Sequence, residues 1–227
     1  MREPVIGVVG FGRLGRAIAA HTKVIQLDSR SPHEWGEGPE VIVDCAAPEV
    51  THQVIDLCHK LRVPLVECVS NLWPGHVERL TELARDVPVV RATNLAVGNY
   101  LQARVVDHLA ELLGKLGVGL PEASVLERHP ATKAHRPSAT AVALADRWHT
   151  RTGQQASDIA SLRAGPPVSD HEIHLGWPEQ SLVVRHEVRS LDAAAAGAVT
   201  VARWVAGRAP GLYPVHAIYD DLVEANS

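Results

Sequence analysis

The sequence predicts an α/β fold in two parts, a parallel sheet flanked by helices and then a smaller α+β region built on a mixed sheet. Three observations carry this. The apolar run VIGVV at 5–9 breaks into Gly10-x-Gly12-x-x-Gly15 and resumes as a helical pattern through Ala17, Ile18 and Ala20. Short strand-like and helix-like segments then alternate as far as Asn94. Beyond about Val97 the pattern changes to one long helix followed by four strand-like runs with few helices between them.

The first strand, glycine turn and helix have the form of a dinucleotide-binding unit. Gly10 permits the tight turn, Gly12 lets backbone approach a pyrophosphate, and Gly15 lets the helix, whose partly positive end faces the phosphates, pack on the strand. The next run, KVIQLD, ends at Asp28, eighteen residues past Gly10. An acid there accepts hydrogen bonds from the adenosine ribose hydroxyls of NADH, whereas Arg13 and Arg30 suit the 2′-phosphate of NADPH, so both cofactors are expected to bind.

After the turn-rich stretch SRSPHEWGEGPE, VIVDCA at 41–46 reads as a buried strand, and Val50, Val54, Ile55, Leu57, Cys58 and Leu61 give 49–62 a helical period. Strand VPLVECV, a helix from about Gly75 to Arg85 and strand VPVVRAT follow. Ligands of such a sheet gather at the carboxyl ends of its strands. Leu14, Ala46, Cys68 and Asn94 therefore join the glycines, Arg13, Asp28 and Arg30 as candidate cofactor residues, and Glu67 to Asn71 is a stretch to watch. A long helix over roughly 98–116 leads into ASVLERH, ASDIASLRAG, DHEIHLGW and SLVVRHEVRS, with one helix capped by Ser138. A last helix over about 192–207 and a short tail past Gly211 are expected to return to the first part. The domains are thus 1–98, completed by 193–227, for the dinucleotide, and 99–192 for substrate and oligomerisation.

A chain of 227 residues with 46% hydrophobic content buries a full core. A net charge of −4 and a pI near 6.3 argue against nucleic-acid and membrane-surface binding. No apolar run spans a membrane and the start MREP lacks a signal-peptide core, so a soluble, cytoplasmic protein is expected. Cys45, Cys58 and Cys68 read as reduced, buried thiols, and no ordered metal-ligand spacing is present, so no metal is expected.

The unusual chemistry lies in ERHPATKAHRPSAT at 127–140. Ser138 and Thr140 flank Ala139 at a helix N-terminus, which offers hydroxyls and free N–H groups to a carboxylate. Lys133 adds positive charge, and His129 can donate a proton as the imidazolium. Glu127 either orients His129 or begins an exposed turn. His171 and His186 line a substrate pocket or bond within the sheet, and exposed sheet edges favour a homo-oligomer, dimer or tetramer.

Together the segments GFGRLGR, VDCAAPE, TNLAVGNYL, ERHPATKAHRPSAT, LRAG with His171, and GAV to GLY at 197–213 resemble dihydrodipicolinate reductases over nearly the whole chain. The resemblance implies a Rossmann domain, NADPH or NADH as cofactor, and hydride transfer to a cyclic imine carboxylate on the way to lysine and diaminopimelate. It makes His129 the proton donor, Lys133 a catalytic and substrate-binding cation, and Ser138, Ala139 and Thr140, with His171, the substrate site. Tetramers built through the second domain are the family habit. Departures fall on substrate recognition: Pro130 stands for a second histidine, His135 for an acid, Ala139 for a glycine, Glu67-Cys68-Val69-Ser70 for a G-T-T turn, and Leu191 for an arginine. A different cyclic imine is therefore expected as substrate. The alternatives are an amino-acid dehydrogenase acting on an open-chain imine and a non-catalytic dinucleotide sensor.

Overall fold

The computed structural model describes residues 3–36, 38–70, 72–165 and 168–226. Asn71, one of the residues singled out above, lies outside the described set. In chain order the elements begin with β1 (Ile6–Val9), α1 (Arg13–His21), β2 (Val24–Leu27), β3 (Val41–Asp44), α2 (Thr51–Leu61), β4 (Leu65–Glu67), α3 (Pro74–Leu83) and β5 (Pro88–Arg91). They continue with α4 (Val97–Leu116), β6 (Glu122–His129), α5 (Ala139–Thr152), β7 (Asp158–Arg163), β8 (Ser169–Trp177) and β9 (Gln180–Val188), and close with α6 (Asp192–Val205), β10 (Gly211–Pro214) and α7 (Val215–Glu224). Two compact units result, residues 1–95 with 191–227, and residues 96–190.

The first unit is a six-stranded parallel sheet in the order β10-β5-β4-β3-β1-β2. Its central strands are covered on both faces, which is why they read as apolar runs and not as alternation, broken by Asp44 and Glu67 at the ends of β3 and β4. Val9, Ile42, Leu65 and Val89 meet Val54, Ile55, Cys58 and Leu80 on one side. The alanine-rich α6, which also packs on α1, covers β3, β4 and β5. Small side chains on α6, Ala195, Ala198 and Ala202, are fully buried and let this helix lie close to its neighbours.

The tail departs from expectation. Residues past 210 form β10, which pairs in parallel with β5 from Gly211 opposite Pro88 to Pro214 opposite Arg91, and then α7. Four residues carry no local strand signature; their pairing partner lies over a hundred positions away, so only the tertiary structure reveals it.

The second unit is a four-stranded mixed sheet in the order β7-β6-β8-β9, with β6 and β7 parallel and the other pairs antiparallel. Period-2 alternation on β6 turns Ala123, Val125, Glu127 and His129 to the covered face and Ser124, Leu126 and Arg128 to the open one. Helices α4 and α5 cover the inner face through Val106, Ala110, Ala141, Leu144 and Trp148, packed on Val125, Ile173 and Leu175.

Candidate active site

In the first unit the functional end is the carboxyl edge of β1, β2 and β3. Gly10 leaves β1 with φ +82°, and a β-carbon there would lie 2.6 Å from both the Cα and the N of Ala46, so the glycine turn and the turn after β3 touch backbone to backbone. Gly12 caps α1 with φ −75° and faces open space. No acidic side chain occupies the first turn of α1, whose N–H groups stay available to an anion. Around this turn lies a cavity of about 520 Å³ lined by Gly10, Gly12, Arg16, Asp28, Arg30 and Ala46 among others. An open glycine approach, a free helix N-terminus and an acid at the end of β2 suit a dinucleotide.

Of the expected cofactor residues, Gly10, Gly12, Asp28, Arg30 and Ala46 line this cavity, while Arg13, Leu14, Gly15, Cys68 and Asn94 do not. Gly15 is buried in α1, where a methyl group would overlap the Gly10 carbonyl, so it serves packing. Arg16, one helical turn beyond Arg13, is the arginine of α1 that lines the cavity; its Nε donates to the Phe11 carbonyl at 3.0 Å. The i, i+3 spacing of the two arginines was the available signal. Asp28 and Arg30 are not independent. Arg30 grips the carboxylate through Nε at 3.0 Å and Nη2 at 2.7 Å, and its backbone N–H adds a third bond at 2.9 Å. Those bonds hold Asp28 down at about 2, well below the ordinary carboxylate.

In the second unit the register of the sheet writes out the site. Ser161 of β7, Glu127 of β6, His171 of β8 and His186 of β9 stand side by side across four strands, and His129 stands beside Arg163. Glu127 is the hub and has no solvent exposure. Its Oε1 accepts from Ser161 Oγ at 2.7 Å and Arg163 Nη2 at 2.8 Å, and its Oε2 accepts the Ser138 backbone N–H at 3.0 Å. Burial alone would raise this carboxyl; the bonds from Ser138, Ser161 and Arg163 outweigh it and leave it at about 2. Glu127 is therefore a buried anchor and not the start of an exposed turn, and Ser161 and Arg163 are its unforeseen partners.

His129 and His171 meet edge to face with ring centroids 5.1 Å apart. Oε2 of Glu127 lies 3.3 Å from Nε2 of His129 and 3.8 Å from Nε2 of His171. Desolvation and the Lys133 charge push His129 below its usual 6.5 while Glu127 pulls the other way, and desolvation with the neighbouring His129 takes His171 to about 4. Burial thus disfavours the charged form of both rings, and Glu127 is the group that favours it on each. Donor atoms of Glu127, His129 and His171 fall within 4.8 Å of one another, the spacing of a metal site. The Arg163 guanidinium on the same carboxylate opposes a cation there.

Ser138 caps α5 by accepting the Ala141 N–H at 3.3 Å, and its Oγ lies 3.1 Å from His171 Nε2, so this hydroxyl is already engaged inside the protein. Ala139 is exposed and Thr140 half-buried at the same helix start. The half-buried Lys133 has no carboxylate partner among the described residues; its backbone carbonyl accepts from Arg163 Nε at 2.9 Å. His186 presses on Gly98, where a β-carbon would come within 2.5 Å of the ring.

With this geometry in view, comparison with known proteins is informative. Residues 21–95 match the family model described as "Dihydrodipicolinate reductase, N-terminus", and residues 98–218 match its C-terminal counterpart. The 4-hydroxy-tetrahydrodipicolinate reductase of Myxococcus xanthus is 31% identical over 192 residues, covering 77% of this chain and 69% of that protein. That of Pseudomonas fluorescens is 29% identical over 200 residues, 80% of this chain and 73% of the other. Among solved structures, the dipicolinate-bound dihydrodipicolinate reductase from Paenisporosarcina sp. TG-14 superposes with a TM-score of 0.69 at 16% identity, covering 94% of this chain and 98% of that one. A two-part family match over most of the sequence and a relative above 30% identity agree with the fold, and the chain belongs to the dihydrodipicolinate reductase family of oxidoreductases.

Proposed function

We propose that the chain is an NAD(P)H-dependent reductase that delivers hydride to a cyclic imine carboxylate, with His129 supplying the proton and Lys133 holding the substrate. The observation that carries this reading is the buried cluster of Glu127, His129 and His171 with the Lys133 ammonium, which has no carboxylate partner among the described residues, beside it. When bound, the nicotinamide supplies the hydride; the protein's part is to bind, orient and protonate. Glu127, fixed as an anion by Arg163 and Ser161, holds the His129 ring and favours its protonated form against desolvation. Lys133 sets a point charge against a substrate carboxylate or against the charge that develops on nitrogen. The exposed Ala139 at the start of α5 offers its backbone N–H to a second carboxylate. Because Ser138 is spent on Ala141 and His171, it shapes this site more than it touches substrate.

On the cofactor side, the Asp28–Arg30 pair supports use of both NADH and NADPH. Asp28 accepts ribose hydroxyls, and Arg30, 87% exposed, is free to turn toward a 2′-phosphate. The open face of the mixed sheet carries Leu162 on β7 and Val183 on β9 at 49% and 43% exposure, with Leu126 on β6 between those edges, which supports a homo-oligomer, dimer or tetramer, formed through that face. Among the described residues no helix is long and apolar enough to cross a membrane. The setting we infer is the cytoplasm, where Cys45, Cys58 and Cys68 stay free thiols.

The test follows NADH and NADPH absorbance with freshly generated 4-hydroxy-tetrahydrodipicolinate beside simpler cyclic imino acids and open-chain imines. Turnover of a cyclic imine is expected, falling about a hundredfold or more in His129→Ala, with Lys133→Ala acting chiefly on KM. Turnover confined to open-chain imines would move the chain to the amino-acid dehydrogenases. Dinucleotide binding with no turnover of any imine overturns the reading in favour of a sensor.

A further inference from the structure

Two carboxyl groups lie beneath the nucleotide cavity that none of the chemistry above employs. Asp44 ends β3 and Glu67 ends β4; they are register partners on adjacent parallel strands and are 0% and 1% exposed. One oxygen of each is committed to a turn: Asp44 Oδ1 accepts the Ala46 N–H at 2.9 Å, and Glu67 Oε1 accepts the Val69 N–H at 2.7 Å. The Cys68 N–H, which donates to the Asp44 carbonyl at 3.0 Å, ties the two turns together. The other oxygens, Asp44 Oδ2 and Glu67 Oε2, are buried and lie outside the geometric hydrogen-bond limit of any donor among the described residues, the nearest candidate being the equally buried Thr51 hydroxyl on the Asp44 side. Neighbouring strands run about 4.8 Å apart, and two bare carboxylates at that spacing inside a core repel strongly. One proton between the free oxygens removes the repulsion and satisfies both.

We propose that Asp44 and Glu67 are positioning residues for the dinucleotide: they share one proton, and through Ala46 and Val69 that proton holds the turn Cys45–Ala47 against the glycine turn, so that nucleotide affinity depends on it. The proposal rests on the dinucleotide reading of the cavity, which Cys45, Ala46 and Ala47 line. The surroundings keep the proton in place. Facing the pair are Thr51 and Cys58 of α2 and the thiols Cys45 and Cys68, with the charge of Arg91 at the end of β5 acting against the proton on Glu67. Burial pushes Asp44 up to about 7 and, together with the Asp44 charge, pushes Glu67 up to about 9. The pair therefore retains a proton at neutral pH and gives it to solvent in alkali, where the two charges force the turns apart.

The experiment titrates the whole chain with NADH by fluorescence from pH 6 to pH 10, with far-ultraviolet circular dichroism at each pH to report folding. For the unaltered chain Kd is expected to stay level near neutrality and then rise toward tenfold per pH unit above about pH 9, the signature of one proton. Glu67→Gln keeps an amide donor toward Asp44 at every pH and is expected to flatten the profile; Asp44→Asn does the same from the other side. A level profile in the unaltered chain, or a slope that survives in both variants, overturns the proposal. Infrared spectroscopy at pH 7 provides a second reading that needs no ligand: a protonated-carboxyl band that Glu67→Gln removes supports the pair, and absence of the band sinks it. Failure of the unaltered chain to bind NADH at any pH overturns the dinucleotide reading instead, and the infrared result then decides the shared proton on its own.

Discussion

Replacing Gly10 and Gly12 separately by alanine divides stability from binding. At Gly10 the new methyl group would sit 2.6 Å from two backbone atoms of Ala46, where ordinary contact begins at 3.4 Å, so nearly an ångström of overlap must be relieved by moving backbone. The residue also holds φ +82°, which costs an L-residue about 1–2 kcal/mol. Overpacking adds about 1–3 kcal/mol, and a total near 3 kcal/mol lowers Tm by about 10 °C for a domain of this size. At Gly12 the backbone has φ −75° and nothing lies within 4 Å of the added carbon. Gly12→Ala should therefore hold stability to within about 0.5 kcal/mol while weakening NADH binding at least tenfold, about 1.4 kcal/mol. Thermal unfolding by circular dichroism and NADH fluorescence titration, run on both variants, give the two readouts. A Gly12→Ala protein that binds NADH like the parent, or a Gly10→Ala protein that melts like it, refutes the assignment of these roles.

Arg30→Ala should weaken NADPH binding about tenfold, the scale of a lost exposed phosphate contact, and leave NADH binding level or tighter, because Asp28 is then released to the ribose; parallel titrations with the two cofactors check it. Glu127 carries an acid-stability signature. Its carboxyl sits at about 2 in the fold against an ordinary 4.5, so it contributes stability that is fully present above about pH 4.5 and is lost as pH falls toward 2, about 3 kcal/mol in all. Denaturant unfolding of Glu127→Gln should be less stable at pH 7, with the 2%-exposed Arg163 left unpaired, and should lose that slope in acid; an unchanged slope would discredit the hub.

Much of the fold was legible because local and global signals agree. The glycine turn follows an apolar strand, and the buried parallel strands read as apolar runs because both faces are covered. His129 was equally legible, at the end of an alternating strand whose inner face continues from Ala123 and Val125. What stayed hidden depends on register. Glu127 becomes a hub only when β7 sets Ser161 beside it and β8 sets His171 opposite, and no spacing within one strand announces that. Asp44 and Glu67 sit twenty-three positions apart and meet only through the parallel pairing of β3 and β4. Arg13 and Arg16 were distinguishable only once the pitch of α1 was fixed, and β10 was lost because its single partner, β5, is remote in sequence.

The discontinuity of the first unit bears on how the molecule comes into being. Helix α6 and strand β10 belong to the parallel sheet but are translated only after the whole of 96–190. At about 5–20 residues per second, ribosomal synthesis leaves the half-built sheet waiting roughly 5–20 s for its last strand and its covering helix. Throughout that interval Val41, Val43, Val66 and Val90 lack their final cover, whereas the contiguous segment 96–190 already holds every strand of its own sheet. Nascent chains are thus most exposed to aggregation and chaperone capture through the edge of β5, and the nucleotide half matures last although it is begun first.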